Sequence, residues 1–192
     1  MKLKSLFAVV TLAVSCSAFA EGTYASLTYD QKDKQNSTQL NHVFGLNVGQ
    51  KFSNGVGVEV RMENEKVDPG AGATQEQEGL LQAKVSYDIS TGTMFTPYVA
   101  GAIGQKNKST SDFPFWVAEV GAKVKLTDMF NVRYGYRQRT AFDTTTNSYD
   151  TTEHTVAFGM NITKQDALSI AYKQERGTSD YNTTGVYYTR SF

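Results

Sequence analysis

Residues 130–139, FNVRYGYRQR, alternate between two kinds of side chain. The even positions from Phe130 to Tyr136 are aromatic or aliphatic, whereas the odd positions are asparagine, glycine or arginine. Because successive side chains of a β-strand point to opposite faces, this spacing predicts a strand with one apolar and one charged face. The 3.6-residue period of an amphipathic helix is absent here.

The same alternation recurs along the chain in stretches of about ten residues, which turn residues separate. We predict ten strands, at residues 22–30, 39–52, 56–66, 79–89, 95–106, 114–126, 130–140, 153–162, 167–176 and 182–192. Short turns at 53–55, 90–92, 127–129 and 163–166 alternate with long polar loops at 31–38, 67–78, 107–113, 141–152 and 177–181. This arrangement predicts an all-β, transmembrane, antiparallel up-and-down β-barrel of about ten strands, with eight or twelve as alternatives. An even number places both termini at the short-turn, periplasmic end.

The register of neighbouring strands provides an internal check. Pairing the sixth and seventh strands about Asp128 sets Glu119 opposite Arg137, which joins opposite charges on the charged face. Pairing the second and third strands sets Gly49 opposite Glu59, where the glycine leaves room for a long side chain in a narrow interior.

We expect the charged face to line the interior and the apolar face to contact lipid. The alternative is a secreted soluble barrel or sandwich, which would bury its apolar face. The many charges, the aromatic side chains near strand ends and the terminal Phe192 favour lipid. The expected inward charges are Glu59, Arg61, Glu63, Glu65, Lys84, Glu119, Lys123, Lys125, Arg133, Arg137, Arg139, Lys173 and Glu175. The aromatic side chains near strand ends are Tyr29, Phe52, Tyr87, Phe95, Phe130 and Tyr188.

The N-terminus predicts export. Lys2 and Lys4 precede an apolar run at 6–14, and Ala18-Phe19-Ala20 has the A-x-A form of a cleavage site. We therefore expect residues 1–20 to be a signal peptide and residues 21–192 the barrel. Cys16 leaves a lipoprotein cleavage box as the alternative, and cleavage after Ala20 removes this cysteine, the only one in the sequence.

Composition excludes two classes of protein. The 192 residues carry 19 Lys+Arg and 19 Asp+Glu, and this zero formal charge argues against a nucleic-acid partner. No apolar run reaches the roughly 20 residues that a membrane-spanning helix needs.

The last strand, Val186–Phe192 (VYYTRSF), alternates and ends in phenylalanine. With the leader and the other strands, it resembles small outer-membrane β-barrels of Gram-negative bacteria of the opacity-protein/OmpX-like type. That resemblance implies that Tyr188 and Phe192 form the signal for the barrel-assembly machinery. It also implies outer-membrane lipid and periplasmic chaperones as partners. Residues 51–57 (KFSNGVG) and 133–137 (RYGYR) are also similar to parts of the oligogalacturonate-specific porins, slender barrels, usually of twelve strands, with arginines lining the pore.

Two histidines are the first candidates for chemistry. His42 and His154 share the apolar parity near the long-loop ends of their strands, so we interpret them as rim residues that face lipid headgroups. Metal binding or acid–base catalysis is the alternative. No catalytic triad is visible, and the sequence predicts a non-enzymatic protein without catalytic, cofactor-binding or metal-binding residues.

The predicted site is a network of charges in the lumen. Its members are Glu59, Arg61, Glu63, Glu119, Lys123, Arg133, Arg137, Arg139, Lys173 and Glu175. The network either lines a pore for small ions or anionic solutes, or fills a narrow lumen with salt bridges.

The predicted function is that of a small porin-like or structural barrel in the outer membrane, with polar extracellular loops. A surface adhesin that acts through loops such as 141–152 is one alternative. A secreted soluble β-barrel binding protein is the other.

Overall fold

Strands form every regular element of the described chain. The computed structural model describes residues 22–68, 76–108, 112–143, 150–177 and 180–192. The strands are β1 (Thr23–Lys34), β2 (Leu40–Lys51), β3 (Val56–Asp68), β4 (Glu76–Asp88), β5 (Phe95–Asn107), β6 (Asp112–Lys125), β7 (Phe130–Ala141), β8 (Thr151–Asn161), β9 (Asp166–Gly177) and β10 (Tyr181–Ser191). No helix in these residues is long and apolar enough to cross a bilayer. The predicted leader at 1–20 lies outside the described residues and stays a prediction.

The ten strands close into an antiparallel up-and-down barrel. Each strand pairs with its neighbours in sequence, and β1 pairs with β10, so that no open edge remains. The predicted fold class and strand count are confirmed. The predicted registers are also correct, since Glu119 pairs with Arg137 and Gly49 with Glu59.

The strands extend further at the long-loop end than the sequence predicts. β1 continues to Lys34, although residues 31–34 were expected in a loop, and β4 begins at Glu76 within the predicted loop 67–78. Both additions are polar on both faces, so the apolar alternation that marks a membrane strand is absent from them.

The two faces of the barrel differ in exposure. Leu27 and Ile103 point outward and are 61% and 62% exposed, whereas Glu65 points inward and is 7% exposed. Large apolar side chains therefore cover the outside and ions fill the inside, as predicted for a barrel in lipid.

One part of the inner face is apolar, contrary to the prediction of a charged lining. Phe113, Phe115 and Val117 of β6 pack with Ala102 of β5, and Leu80 lies against this cluster. The sequence does not show which face is inward here, because residues 113–118 are apolar at both parities. This lumen cluster occupies the long-loop end of the interior.

Candidate functional site

The inner face carries opposite charges in equal number between its two rims. The acidic members are Asp30, Glu59, Glu63, Glu65, Glu78, Asp88, Glu119, Glu153 and Glu175. The basic members are Lys32, Arg61, Lys84, Lys106, Lys123, Arg133, Arg137, Arg139 and Lys173. Buried charges are stabilised by opposite charges close by, and each of these side chains has an oppositely charged partner within 4.0 Å.

Six of these side chains, from six strands, form a continuous chain near the long-loop end, which we call the outer ionic chain. Its order is Glu78–Lys106–Glu65–Lys32–Glu175–Arg139, with successive N···O distances of 2.5, 3.1, 3.4, 3.8 and 3.4 Å. Its side chains are between 9% and 15% exposed. Glu78 and Lys106 lie on the neighbouring strands β4 and β5, whereas each of the other four ion pairs spans one intervening strand, so the chain runs round most of the inner face.

The outer ionic chain ends against the lumen cluster. The Arg139 guanidinium lies 5.7 Å from the centre of the Phe115 ring, which is fully buried. The cavity beside the chain measures only about 40 Å³, room for a few water molecules. Ions and aromatic rings together close this half of the lumen.

A central layer lies below the outer ionic chain. Lys173 Nζ lies 2.6 Å from Asp30 Oδ2, and the Tyr187 hydroxyl donates to the other oxygen of Asp30 at 2.5 Å. Arg61 Nε donates to Glu63 at 2.7 Å. The two contacts of Asp30 join β1 to β9 and β10, whereas the contact between Arg61 and Glu63 lies within β3.

Tyrosines organise the charges nearer the short turns. The Tyr24 hydroxyl donates to Glu59 at 2.8 Å, and the Tyr98 hydroxyl donates to Glu119 at 2.7 Å. Arg133 Nε in turn donates to the Tyr98 oxygen at 3.0 Å, and its guanidinium also pairs with Glu119 at 2.5 Å. Each of these carboxylates therefore has a phenol and a cation as partners.

The short-turn half of the lumen contains a cavity of about 310 Å³, which we call the inner cavity. One wall is charged and is built by β3, β4, β6 and β7. On β8 and β9, small side chains line the cavity beside Glu153 and Lys173, and these are Thr155, Ala157, Gly159, Ser169 and Ala171. The lumen is thus wide near the short turns and narrow at the level of the outer ionic chain.

Comparison with known proteins shows which family this barrel is similar to. The family model of the outer membrane protein beta-barrel domain matches residues 6–161. The chain belongs to this family. The protein is accordingly a barrel of the outer membrane with lipid around it, and its fold is porin-like.

Solved structures of porins and channels resemble the barrel. The KdgM porin in complex with disordered oligogalacturonate is 13% identical, with a TM-score of 0.52 over 87% of this chain and 99% of its own. An outer membrane channel from Pseudomonas putida F1 is 11% identical, with a TM-score of 0.62 over 91% of this chain and 97% of its own. The NanC porin is 10% identical, with a TM-score of 0.53 over 86% of this chain and 100% of its own. Identities this low show the fold alone. No curated protein sequence matches significantly.

All ten side chains of the predicted charge network point into this outer-membrane barrel. Arg139 and Glu175 belong to the outer ionic chain, and Lys173 belongs to the central layer with Arg61 and Glu63. Glu59, Glu119, Arg133 and Arg137 line the inner cavity, and Lys123 lies near the short turns, 2.8 Å from Asp88.

The barrel departs from the sequence prediction in three contacts. Glu119 faces Arg137 in register but pairs with Arg133, because Tyr98 bonds both partners. The space over Gly49 is filled by Tyr24 instead of Glu59, since a Cβ there would lie 2.6 Å from the Tyr24 ring. Lys125 was predicted to point inward but is 65% exposed. It bonds Asp128 of the adjacent turn at 2.7 Å and thereby lowers the pKa of that carboxyl.

Several charges of the lumen were missed. They are Asp30, Lys32, Glu78, Asp88, Lys106 and Glu153. Each has the inward parity of its strand, and only Lys32 and Glu78 lie outside the predicted strands, so the alternation alone identifies the other four. The tyrosines that organise the carboxylates lie on the inward parity as well.

Both histidines lie on the outside of the barrel. The Tyr29 hydroxyl is 2.8 Å from His42 Nδ1, and the Tyr134 hydroxyl is 2.8 Å from His154 Nδ1. Among the residues with described positions, no group of three or more His, Cys, Asp or Glu could hold a metal ion.

Proposed function

We propose that the protein is a non-enzymatic, narrow porin-like barrel that passes water and small ions and excludes solutes of sugar size. The outer ionic chain is the observation that carries this proposal. It leaves a cavity of about 40 Å³ at its level, whereas the inner cavity measures about 310 Å³. A solute that enters from the short turns therefore meets a barrier before it reaches the long loops.

The similarity to porins and channels supports a role in transport, and the KdgM porin differs from this barrel in the size of the ligand that it binds. The KdgM porin structure contains oligogalacturonate. In the present barrel, an oligosaccharide would have to break several buried ion pairs of the outer ionic chain at once. Breaking one buried pair by removing a partner costs about 3–5 kcal/mol. We therefore propose that the solutes are smaller than those of the oligosaccharide porins.

The non-enzymatic part of the proposal rests on where the reactive side chains lie. His42 and His154 face outward, and each is held by a tyrosine. The lumen carboxylates are held in ion pairs, so they are not available as general acids or bases.

The proposal also includes a role for the terminal strand in assembly of the barrel. Phe192 is 54% exposed at the short-turn end, and its amide donates to the Thr23 carbonyl at 2.9 Å. Tyr188, which shares the outward parity, donates to Asp166 at 2.6 Å. We propose that periplasmic chaperones deliver the chain and that the barrel-assembly machinery recognises Tyr188 and Phe192. The adhesin alternative depends on loops that lie partly outside the described residues, including 144–149, and stays a prediction.

Single-channel recording and liposome swelling test the transport proposal. The inserted wild-type protein should give small conductance steps and no swelling in arabinose or sucrose. Swelling in sucrose would contradict the size limit, and complete electrical silence from folded, inserted protein would contradict ion passage.

A further inference from the structure

Arg137 is held more loosely than the other bases of the lumen. Each of the other eight lies 3.4 Å or closer to a carboxylate oxygen. Arg137 has one ion pair, to Glu153 at 4.0 Å, and makes no hydrogen bond within the described chain. Its side chain is nevertheless only 14% exposed. A guanidinium offers five N–H donors, and Arg137 lines the inner cavity, so these donors are placed to bind an acceptor there.

Arg137 lies where the inner cavity ends. It lines both this cavity and the smaller one at the outer ionic chain, and it is therefore at the boundary between them. The inner cavity extends from this boundary towards the short turns, where Asn131 and Thr189 also line it. Molecules that enter from the short-turn end can travel as far as Arg137.

The bases that line the inner cavity differ in how closely they are paired. The lining includes five bases and three carboxylates: Arg61, Lys84, Arg133, Arg137 and Lys173 against Glu59, Glu119 and Glu153. Two of these bases, Arg61 and Lys173, have their carboxylate partners outside the cavity lining. Each of the five bases therefore has one carboxylate partner, and the Arg137 pair is the longest of them at 4.0 Å. Because Coulomb attraction weakens with distance, Arg137 is the least neutralised cation that an oxyanion meets in the cavity.

The lining also offers hydrogen bonds to hydroxyl groups. Ser169 of β9 and Thr28 of β1 belong to it. The Asn47 side-chain oxygen also belongs to this lining, is buried, and has no hydrogen-bond partner in the described structure. An oxygen of this kind accepts a hydrogen bond from a hydroxyl group. The small side chains of β8 and β9 leave the space that such a molecule needs.

We propose that the inner cavity binds a small hydroxylated oxyanion, whose carboxylate or phosphate group is held by the Arg137 guanidinium. Arginine matches such groups because its planar fork donates two parallel hydrogen bonds. The ligand is no larger than a monosaccharide, since the cavity of about 310 Å³ is closed beyond Arg137. This inference extends the proposed function by naming a ligand class, but binding does not require that the barrel conduct.

Calorimetric titration tests the site with protein purified from outer membranes in detergent. The probes are glycerol 3-phosphate, inorganic phosphate and glycerol, at one ionic strength. Glycerol 3-phosphate should bind at one site per barrel and more tightly than inorganic phosphate, and glycerol should give no signal. Arg137→Met should weaken binding by about ten-fold or more, because a charge-assisted hydrogen bond is lost.

Two further variants separate the site from general effects of charge and folding. Ala157→Phe fills the cavity without changing charge and should abolish binding. Lys51→Met removes one basic charge at the short-turn rim, outside the cavity lining, and should leave the affinity unchanged. Heat-modifiable migration in gels reports whether each variant is folded.

Three results would overturn the assignment. They are a flat titration of folded wild-type protein, equal weakening by Lys51→Met and Arg137→Met, and equal affinity for inorganic phosphate and glycerol 3-phosphate. None of them depends on conductance, so failure of the binding site and failure of the channel are distinguishable.

Discussion

The Lys32 ammonium lies 3.4 Å from a Glu65 carboxylate oxygen, which ties β1 to β3 across the intervening β2. Lys32 also reaches Glu175 of β9 at 3.8 Å. One side chain thus joins three strands, and it is the central link of the outer ionic chain.

Removal of the Lys32–Glu65 link should widen the lumen. We expect Lys32→Ala/Glu65→Ala to raise single-channel conductance several-fold and to permit liposome swelling in arabinose, because two long side chains are shortened without a change in net charge. Lys32→Met/Glu65→Gln keeps the side-chain volume and removes the charges. A small conductance in this second variant would show that bulk closes the lumen. An unchanged conductance in the alanine variant would contradict the assignment of the barrier to this chain.

The inside and outside of the barrel should differ in their tolerance of charge. Val60 has the outward parity, so Val60→Arg places a cation in lipid and should lower the free energy of unfolding by about 2–4 kcal/mol. Thr155→Arg points into the inner cavity and should cost far less. Urea unfolding in lipid vesicles measures both, and equal losses would contradict the orientation of the faces.

Gly121 should be sensitive to a single added methyl group. A Cβ at this inward position would clash with the Tyr134 carbonyl oxygen and would lie 2.6 Å from the Tyr98 ring, which is 3% exposed, and neither group can easily move. We expect Gly121→Ala to destabilise the barrel by about 1–3 kcal/mol, the usual cost of overpacking. Gly101→Ala is the control, because its nearest neighbour would be the Val117 carbonyl at 3.9 Å. If the two variants unfold at the same urea concentration, Tyr98 does not pack tightly over Gly121.

The terminal phenylalanine should matter for assembly more than for stability. Phe192 is 54% exposed, so Phe192→Ala removes few contacts within the protein. We expect slower insertion into proteoliposomes that contain the barrel-assembly machinery, with an unfolding midpoint close to that of the wild type. Ser191→Ala is the neighbouring control. Equal insertion rates for both variants would contradict a role for Phe192 as a recognition signal.

Alternation predicted most of the architecture because a membrane barrel repeats one local rule in every strand. The pairs Glu119–Arg137 and Gly49–Glu59 follow from the turn positions, since an antiparallel register is fixed once its turn is known. The local rule fails at residues 113–118, where lipid and the lumen cluster require apolar residues on both faces.

The ion pairs were less predictable than the strands. The outer ionic chain joins non-neighbouring strands, and such contacts depend on the tilt of the strands and the width of the lumen. Neither quantity is visible in the spacing of Lys32 and Glu65 along the sequence. The preference of Glu119 for Arg133 depends on Tyr98, a third side chain whose hydroxyl position the sequence does not specify.

The pairing of β1 with β10 determines when the barrel can be completed. Ser26 and Thr189 are hydrogen-bonded at 2.7 Å although 163 positions separate them. A chain that breaks off before Tyr181 keeps β1 and β9 as unpaired edges, each with a row of free amide and carbonyl groups. The barrel can therefore close only after the whole chain has been synthesised. A prematurely terminated chain keeps its open edges, and these edges distinguish it from the finished molecule for a protease.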